Sequence, residues 1–325
     1  MDVILPVAGF GTRLRPHTWS KPKPLVPVAG KPMLEHVLDR VMVANPDKLV
    51  FITGYLGEQI EEWARATYDV ELAFVEQPEM LGQTDAILRT REIVNDDALI
   101  LFPDMLFETD FTGLRDAGVD GIAFTKEVED PSAYGIAVLN DEGHVTQLIE
   151  KPSDPVSHLA VIGIYYIRHA ADLFDAMDRQ IDQGKMLKGE YFLADAIQIM
   201  LDDGKTFVTR DVPVWEDCGN PDALLQTNRY LLDNGSATDV KVTDGAVIQP
   251  SYVHPEADIS GSVVGPYASV GAGASLRGCV VSDSIVSEGA TVEGVVIDHS
   301  VVGAKAEVTG SARQIDIGDN SKVRV

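Results

Sequence analysis

Three short clusters near the start of the chain combine glycine, proline and basic residues in a way that suits phosphate. They are Gly9-Phe10-Gly11-Thr12-Arg13-Leu14-Arg15-Pro16, Lys21-Pro22-Lys23-Pro24-Leu25-Val26-Pro27, and Gly30-Lys31-Pro32. Glycines let backbone N–H groups approach phosphate oxygens closely. Arg13 can grip phosphate with a planar fork, and Lys23 supplies a compact point charge. One unit-charge pair near a surface is worth roughly 4 kcal/mol at ~4 Å and an effective dielectric of ~20, so a polyphosphate needs several cations, and several are present. Two familiar glycine-loop patterns do not apply. A GxGxxG fingerprint would need glycine where Leu14 stands. A GxxxxGK[ST] loop would need glycine at Leu25 and Ser or Thr at Pro32.

The composition sharpens this. The 325 residues carry 51 Asp and Glu against 26 Lys and Arg, a formal charge of −25. A chain this acidic argues against nucleic acid and anionic membranes as partners, since both need a basic face. Yet no acidic residue lies between Asp2 and Glu35, and the same stretch holds Arg13, Arg15, Lys21, Lys23 and Lys31. Positive charge is thus concentrated where the glycines are. The alternative is a basic surface turn without a ligand. Two cysteines, Cys218 and Cys279, form neither a disulfide framework nor a CxxC metal motif. No apolar run reaches the roughly 20 residues of a membrane span, and Met1 to Gly11 lacks the basic start of a secretory signal. The expected location is the cytoplasm.

The elements that must position these residues can be read from periodicity. Val3 to Val7, Leu49 to Thr53, Val70 to Val75 and Ala98 to Phe102 read as buried strands. Between them Met33 to Asn45, Glu58 to Ala66 and Thr84 to Val94 carry helical apolar stripes. Alternating strands and helices predict an α/β fold, a Rossmann-like, mostly parallel mixed sheet with helices on both faces. Ligands in such folds sit beyond the carboxyl ends of the strands, which gathers Gly9 to Arg13, Gln77 to Gly82 and Asp104 around one crevice. After residue 120 further strands are expected at 121–125, 135–139, 144–149, 160–167 and 207–215. Helices are expected at 170–183, 191–203 and 222–232.

Asp233-Asn234-Gly235-Ser236 reads as a linker, which divides the chain into 1–235 and 236–325. Beyond about residue 245 the helical stripes stop. Aliphatic residues recur every five or six positions: Val253, Ile259, Val264, Val270, Leu276, Val281, Val286, Val292, Ile297, Val302 and Val308. Ordinary strands alternate with period two, so this texture predicts a hexapeptide β-helix of about four coils. Its stacked coils and exposed end make a homo-oligomer the expected state.

Two aspartates end apolar strands. Asp104 closes the fully apolar run Ala98 to Phe102, and a carboxylate there is costly unless it meets a cation. Asp217, in Trp215-Glu216-Asp217-Cys218-Gly219, also ends a strand; a helix cap or turn role is its plain alternative, since Asn220-Pro221 opens a helix.

The glycine-arginine and lysine-proline segments together resemble the signature of the sugar-1-phosphate nucleotidylyltransferases, over most of residues 1 to 235. The tail resembles the left-handed β-helix of the longer members. The resemblance implies roles for matching positions only. Ala8, Gly9, Gly11, Thr12 and Arg13 match the triphosphate-binding loop, with Ala8-Gly9 in place of the usual Gly-Gly. Arg13 and Lys23 stand in the places of the catalytic Arg and Lys. Gln77 with Gly82 resembles the nucleobase-reading segment, and a glutamine amide can donate and accept at once. Asp104 and Asp217 match two metal-binding aspartates, whose hard oxygens and phosphate partners suit Mg²⁺. Glu150 and Lys151, Gly163, and Lys188 with Glu190 match the sugar-phosphate site.

The implied reaction is in-line attack of a sugar-1-phosphate oxygen on the α-phosphorus of a nucleoside triphosphate, with Arg13, Lys23 and Asp104 as the catalytic set. The implied partners are small molecules: dTTP or UTP with glucose 1-phosphate first. GTP with mannose 1-phosphate and UTP with N-acetylglucosamine 1-phosphate remain open. Two other classes compete with it: a catalytically silent regulatory subunit, and a β-helical acyltransferase or scaffold whose tail carries the function, with His254 or His299 as the candidate base and structural loop histidines as their plain alternative.

Overall fold

The computed structural model describes residues 1–154 and 156–311. The end of the expected 236–325 region, 312–325, lies outside the described residues. The chain forms two compact units. One comprises Met1–Val26 and Lys31–Ala223; the other comprises Pro27–Gly30 and Leu224–Val325. The division falls inside a helix (α6, Pro221–Leu231) and not in the 233–236 turn.

The first unit is built on a sheet of nine strands with a separate two-stranded ribbon. In chain order the elements are β1 (Asp2–Pro6), α1 (Met33–Val41), β2 (Lys48–Thr53), α2 (Gly57–Thr67), β3 (Glu71–Glu76), α3 (Gln83–Leu88) and β4 (Ala98–Leu101). Then come β5 (Met105–Glu108), β6 (Gly121–Glu127), β7 (Gly135–Leu139), β8 (Val145–Glu150), β9 (Leu159–Ile167), α4 (Ala170–Asp182) and α5 (Leu193–Asp202). The unit closes with β10 (Phe207–Asp211), β11 (Val214–Asp217) and the start of α6. The main path of the sheet runs β8-β7-β9-β4-β1-β2-β3, with β6 on β9 and β10 on β6. β1 is parallel to both β2 and β4, and β2 is parallel to β3. β9 is antiparallel to β4, β6 and β7, which makes the sheet mixed.

β4 and positions 49–52 of β2 are apolar because both faces of these strands are covered. Ile4, Val50, Ile52, Ala98 and Ile100 pack with Leu173, Met177, Leu193 and Ile197 of α4 and α5. Strand order reverses between β1 and β4, and a ligand crevice opens at such a reversal.

Three elements differ from the expectation. The helix expected over 84–94 is regular only over Gln83–Leu88, after which turns carry the chain to Val94. The single strand expected over 207–215 is two, because Pro213 has no N–H to continue the ladder. β10 stays in the main sheet beside β6, while β11 leaves it to pair with β5. β5 is a strand beyond those expected; it follows β4 with only Phe102-Pro103-Asp104 between. Among the described residues no helix is long and apolar enough to cross a membrane.

The second unit is a parallel β-helix. Tyr252, Ser269, Ile285 and Val301 form four rungs, sixteen or seventeen residues apart. Ser275, Thr291 and Glu307 continue a second stack begun by Asp258. Each coil has three sides, so steps of five and six residues are what a sixteen- or seventeen-residue coil requires. The eleven aliphatic positions read from the sequence all belong to the apolar core of this unit. The corners turn at residues with positive φ stacked coil upon coil: Gly261, Gly278 and Gly294; Gly273, Gly289 and Lys305; Tyr267, Asp283 and His299. A left-handed backbone favours glycine and tolerates Asp, so the corners account for the glycine-rich texture.

Candidate active site

β1 ends at Pro6, and Val7 N–H still donates to Ile52 O at 2.9 Å. Gly9 is exposed. Gly11 adopts φ +60°, and a Cβ on it would lie 2.9 Å from Lys23 Cβ and 3.0 Å from Thr18 Cγ2. Only glycine fits there, for space and for backbone. Thr18 Oγ1 donates to Gly11 O at 2.8 Å and closes the loop, whose next residues, Thr12–Leu14, form one 3₁₀ turn.

From β4 the chain passes through Phe102 and Pro103 to Asp104. β5 then pairs with β11 so that Met105 faces Asp217, and Cys218 N–H donates to Asp104 O at 3.3 Å. This two-stranded ribbon brings together aspartates 113 positions apart in the sequence. Asp217 Oδ1 accepts Gly219 N–H at 2.8 Å. A Cβ on Gly219 would meet Arg13 Nη2 at 2.6 Å and Asp217 Oδ1 at 2.9 Å, so the Arg13 guanidinium and the Asp217 carboxylate converge over a bare backbone. Lys23 Nζ donates to Asp104 Oδ2 at 3.1 Å; the lysine side chain is 15% exposed and the aspartate 49%.

A cavity of about 260 Å³ opens here, lined by Gly9, Gly11, Thr12, Arg13, Lys23 and Asp104, with Phe102, Pro103 and Gly219 among its other walls. It sits at the strand-order reversal between β1 and β4. Ala8 is buried beside it, its carbonyl oxygen 2.9 Å from where a Cβ on Gly54 would stand. Of the five cations near the N-terminus, only Arg13 and Lys23 line this cavity. Arg15 stacks 4.1 Å over Trp19, and Lys31 pairs with Asp39 at 2.8 Å and Glu35 at 3.3 Å. Gly30 belongs to the second unit, where a Cβ on it would strike the Tyr252 ring at 2.3 Å.

Gln77 is buried, and its amide group is engaged within the chain. Nε2 donates to Gly82 O at 3.1 Å and to Asp85 Oδ2 at 3.0 Å. Donating and accepting toward a ligand at once, as the sequence suggests, is therefore not available to this amide as it stands. Gly82, at φ +109°, lies against the Tyr191 backbone, with 2.5 Å between its Cβ position and Tyr191 N. Leu81 O accepts Tyr191 N–H at 2.9 Å. The Gln77–Gly82 loop is thereby tied to the turn Leu187-Lys188-Gly189-Glu190. Lys188 (φ +53°) and Gly189 (φ +85°) occupy the centre of that turn, a two-residue type I′ geometry. Lys188 and Glu190 are exposed and do not line the 260 Å³ cavity.

Glu150 and Lys151 form a separate group. Lys151 Nζ lies 3.5 Å from Glu150 Oε1 and 4.8 Å from the Phe192 ring centroid. Burial pushes the Glu150 carboxyl up, against the pull of Lys151. A Cβ on Gly135 would reach Glu150 Oε2 at 3.0 Å. Gly163 (φ +76°) sits where the pairing of β9 with β6 breaks between Val161 and Tyr165, and its oxygen accepts Phe102 N–H at 3.1 Å. Gly163 thus touches the segment that leads to Asp104.

Gly219 and Gly135 are two residues that sequence reasoning passes over. Gly219 stands two places after Asp217 in a quoted motif, so its signal was available; Gly135 carried none. His254 and His299 have local roles. Nδ1 of His254 accepts Glu256 N–H at 3.2 Å, and Nδ1 of His299 lies 2.7 Å from Asp283 Oδ2.

Two carboxylates with adjacent cations, beneath a glycine loop at a strand-order reversal, define a phosphate-handling α/β enzyme. Residues 2–234 match the nucleotidyl transferase family model, and the chain belongs to that family. It is 32% identical, over an alignment of 362 positions covering all of both chains, to the low-salt glycan biosynthesis nucleotidyltransferase Agl11 of Haloferax volcanii. It is 29% identical to a glucose-1-phosphate thymidylyltransferase of Streptomyces antibioticus, covering 100% of this chain and 99% of that one. The crystal structure of UDP-glucose pyrophosphorylase complexed with UDP-glucose superposes with a TM-score of 0.62 at 23% identity, over 72% of this chain and 98% of that chain. That last likeness is one of fold. The chain is an enzyme of the nucleotidyltransferase class.

Proposed function

We propose that this enzyme joins the nucleotidyl group of dTTP or UTP to glucose 1-phosphate, giving a nucleoside-diphosphate sugar and pyrophosphate. The observation that carries the reading is the convergence of Arg13, Lys23, Asp104 and Gly219 on one glycine-lined cavity. The full-length likeness to a glucose-1-phosphate thymidylyltransferase supports the choice of substrates.

In this reading backbone N–H groups of the Gly9–Thr12 loop hold the triphosphate. Arg13 draws charge from the β- and γ-phosphates, and Lys23 turns from Asp104 to the reacting phosphate. The sugar phosphate lies on the side of Lys151, Gly163 and Lys188, with Glu150 and Glu190 toward sugar hydroxyls. A sugar-phosphate oxygen attacks the α-phosphorus in line, the bond to the β-phosphate oxygen breaks, and pyrophosphate departs. No protein nucleophile is required, and catalysis is positioning and charge neutralisation. Asp104 and Asp217 present hard oxygen ligands, too few for a closed protein cage; among the described residues no group of three or more candidate ligands exists. Two carboxylates completed by substrate phosphates suit Mg²⁺, which supplies charge stabilisation at the phosphate oxygens when bound.

The test is pyrophosphate release across dTTP, UTP, GTP, CTP and ATP, each paired with glucose, mannose and N-acetylglucosamine 1-phosphates. Fastest release with dTTP or UTP and glucose 1-phosphate is the expected result. Preference for GTP with mannose 1-phosphate, or for UTP with N-acetylglucosamine 1-phosphate, would replace the substrates. Silence from folded protein in every pairing would remove the reading.

A further inference from the structure

The Gln77 amide has two N–H donors and one oxygen. Both donors are used, on Gly82 O and Asp85 Oδ2. These partners are a carbonyl and a carboxylate, and neither can donate. Turning the amide over would set its oxygen against two acceptors, so chemistry fixes which end points where. Gly82 O is held by the close approach of its own residue to the Tyr191 backbone. Asp85 is held differently. Arg89 grips it as a fork, Nε to Oδ2 at 3.1 Å and Nη2 to Oδ1 at 3.1 Å, one helical turn away. Asp85 also stands in the first turn of α3, where a carboxylate is favoured by the helix dipole. Its side chain is 17% exposed, and that of Arg89 34%.

We propose that Asp85, clamped by Arg89, is a positioning residue that locks the Gln77 amide with only its oxygen left for the nucleotide, so that the site selects a base carrying a ring N–H. The inference rests on the reading of Gln77 as the residue that meets the base. An oxygen that can only accept pairs with the N3–H of uracil or thymine, and with the N1–H of guanine. At that ring position it opposes cytosine, whose N3 is an acceptor, and adenine, whose N1 is an acceptor; either base must shift to bring its exocyclic amine to the oxygen. A free amide would not discriminate in this way, since it could turn its NH₂ toward cytosine. The Asp85–Arg89 pair thereby converts an ambivalent side chain into a selective one without touching the substrate.

The experiment compares kcat/KM for UTP with that for CTP, at saturating glucose 1-phosphate, in the wild type, Gln77→Ala, Asp85→Asn and Arg89→Gln. If the thymidine nucleotide is the faster substrate, dTTP and dCTP take their place. The wild type is expected to favour the ring N–H base, and Gln77→Ala to abolish that preference. Asp85→Asn lowers the ratio about tenfold, the scale of one charge-assisted hydrogen bond. It does so through a lower KM for CTP, with kcat for UTP nearly unchanged. Arg89→Gln, at a more exposed side chain, moves the ratio in the same direction and serves if Asp85→Asn does not fold. A ratio that collapses in Gln77→Ala yet holds in both Asp85→Asn and Arg89→Gln overturns the positioning role and leaves Gln77 as reader. A wild type without base preference, or a preference that survives Gln77→Ala, removes the reading of Gln77 and the proposal with it.

Discussion

Lys23 Nζ and Asp104 Oδ2 stand 3.1 Å apart, each held in place by the other. If both act on the phosphates, removing either costs transition-state stabilisation of about 2.7–4 kcal/mol. Lys23→Ala and Asp104→Asn are each expected to lower kcat at least about 100-fold, with melting temperatures close to wild type. A loss under tenfold in either would strip that residue of its role. Gly219 makes a sharper case because it contributes no functional group. A methyl placed there would overlap Arg13 Nη2 and crowd Asp217 Oδ1. Gly219→Ala is expected to reduce kcat by about tenfold or more, since small displacements of a positioning group are costly. Unchanged kcat with unchanged folding would show that the Arg13 position is not critical.

At the scale of elements, the remainder of α6 is fastened to the β-helix by polar contacts within the second unit. Asn228 is fully buried. Its Oδ1 accepts from Ala29 N–H at 2.9 Å and Ser269 Oγ at 2.6 Å, and its Nδ2 donates to Tyr267 O at 3.1 Å. Asn228→Ala leaves these buried partners unsatisfied and is expected to cost about 1–3 kcal/mol, read as a lower urea midpoint. One coil further along the corner, Asp283 takes a fork from Arg229 and lies against His299. Burial pulls the Asp283 carboxyl upward, but the hydrogen bonds from Arg229 and His299 prevail and hold it below its ordinary value. A carboxyl lowered on folding stabilises the folded chain above its unfolded pKa of about 4, and that stabilisation is lost as pH falls through the lowered value. Asp283→Asn is therefore expected to lose about 1–2 kcal/mol near neutrality, between the exposed and buried limits for ion pairs. The gap to wild type should narrow in strong acid. An equal gap at both pH values would contradict the ionic contribution.

At the scale of the whole molecule, a formal charge of −25 on 325 residues sets a repulsion that compactness must overcome. Salt shortens the range of that repulsion, from a Debye length of about 10 Å at 0.1 M to about 3 Å at 1 M. The melting temperature is expected to rise steadily as KCl is added over this interval. A flat or falling curve would mean that favourable ion pairs outweigh the net repulsion. The same charge explains why a phosphate site in this chain depends on a local stretch free of acids. Within 3–34, where no carboxylate competes, Arg13 and Lys23 reach the cavity.

The sequence by itself determined the parallel α/β core and the period of the tail. Buried strands must be apolar on both faces, and a coil must place an aliphatic residue inward on each side. Val3, Leu49 and Ala98 are legible for the first reason, and Val264, Val281 and Ile297 for the second. It also pointed to Arg13, Lys23 and Asp104, because cations gathered beside glycines in an otherwise acidic chain, and a carboxylate at the end of an apolar strand, suit a phosphate site; Asp104 is half-exposed, so burial cost is not what marks it. The sequence paired Asp217 with Asp104 through resemblance alone; only the tertiary structure supplies the geometry, since the ribbon of β5 and β11 pairs segments more than a hundred residues apart. The tertiary structure alone placed the Gln77 amide between Gly82 O and Asp85, and separated Lys31 from the cations that line the cavity. These outcomes depend on register and on which partner a side chain reaches first, and neither is encoded in local composition.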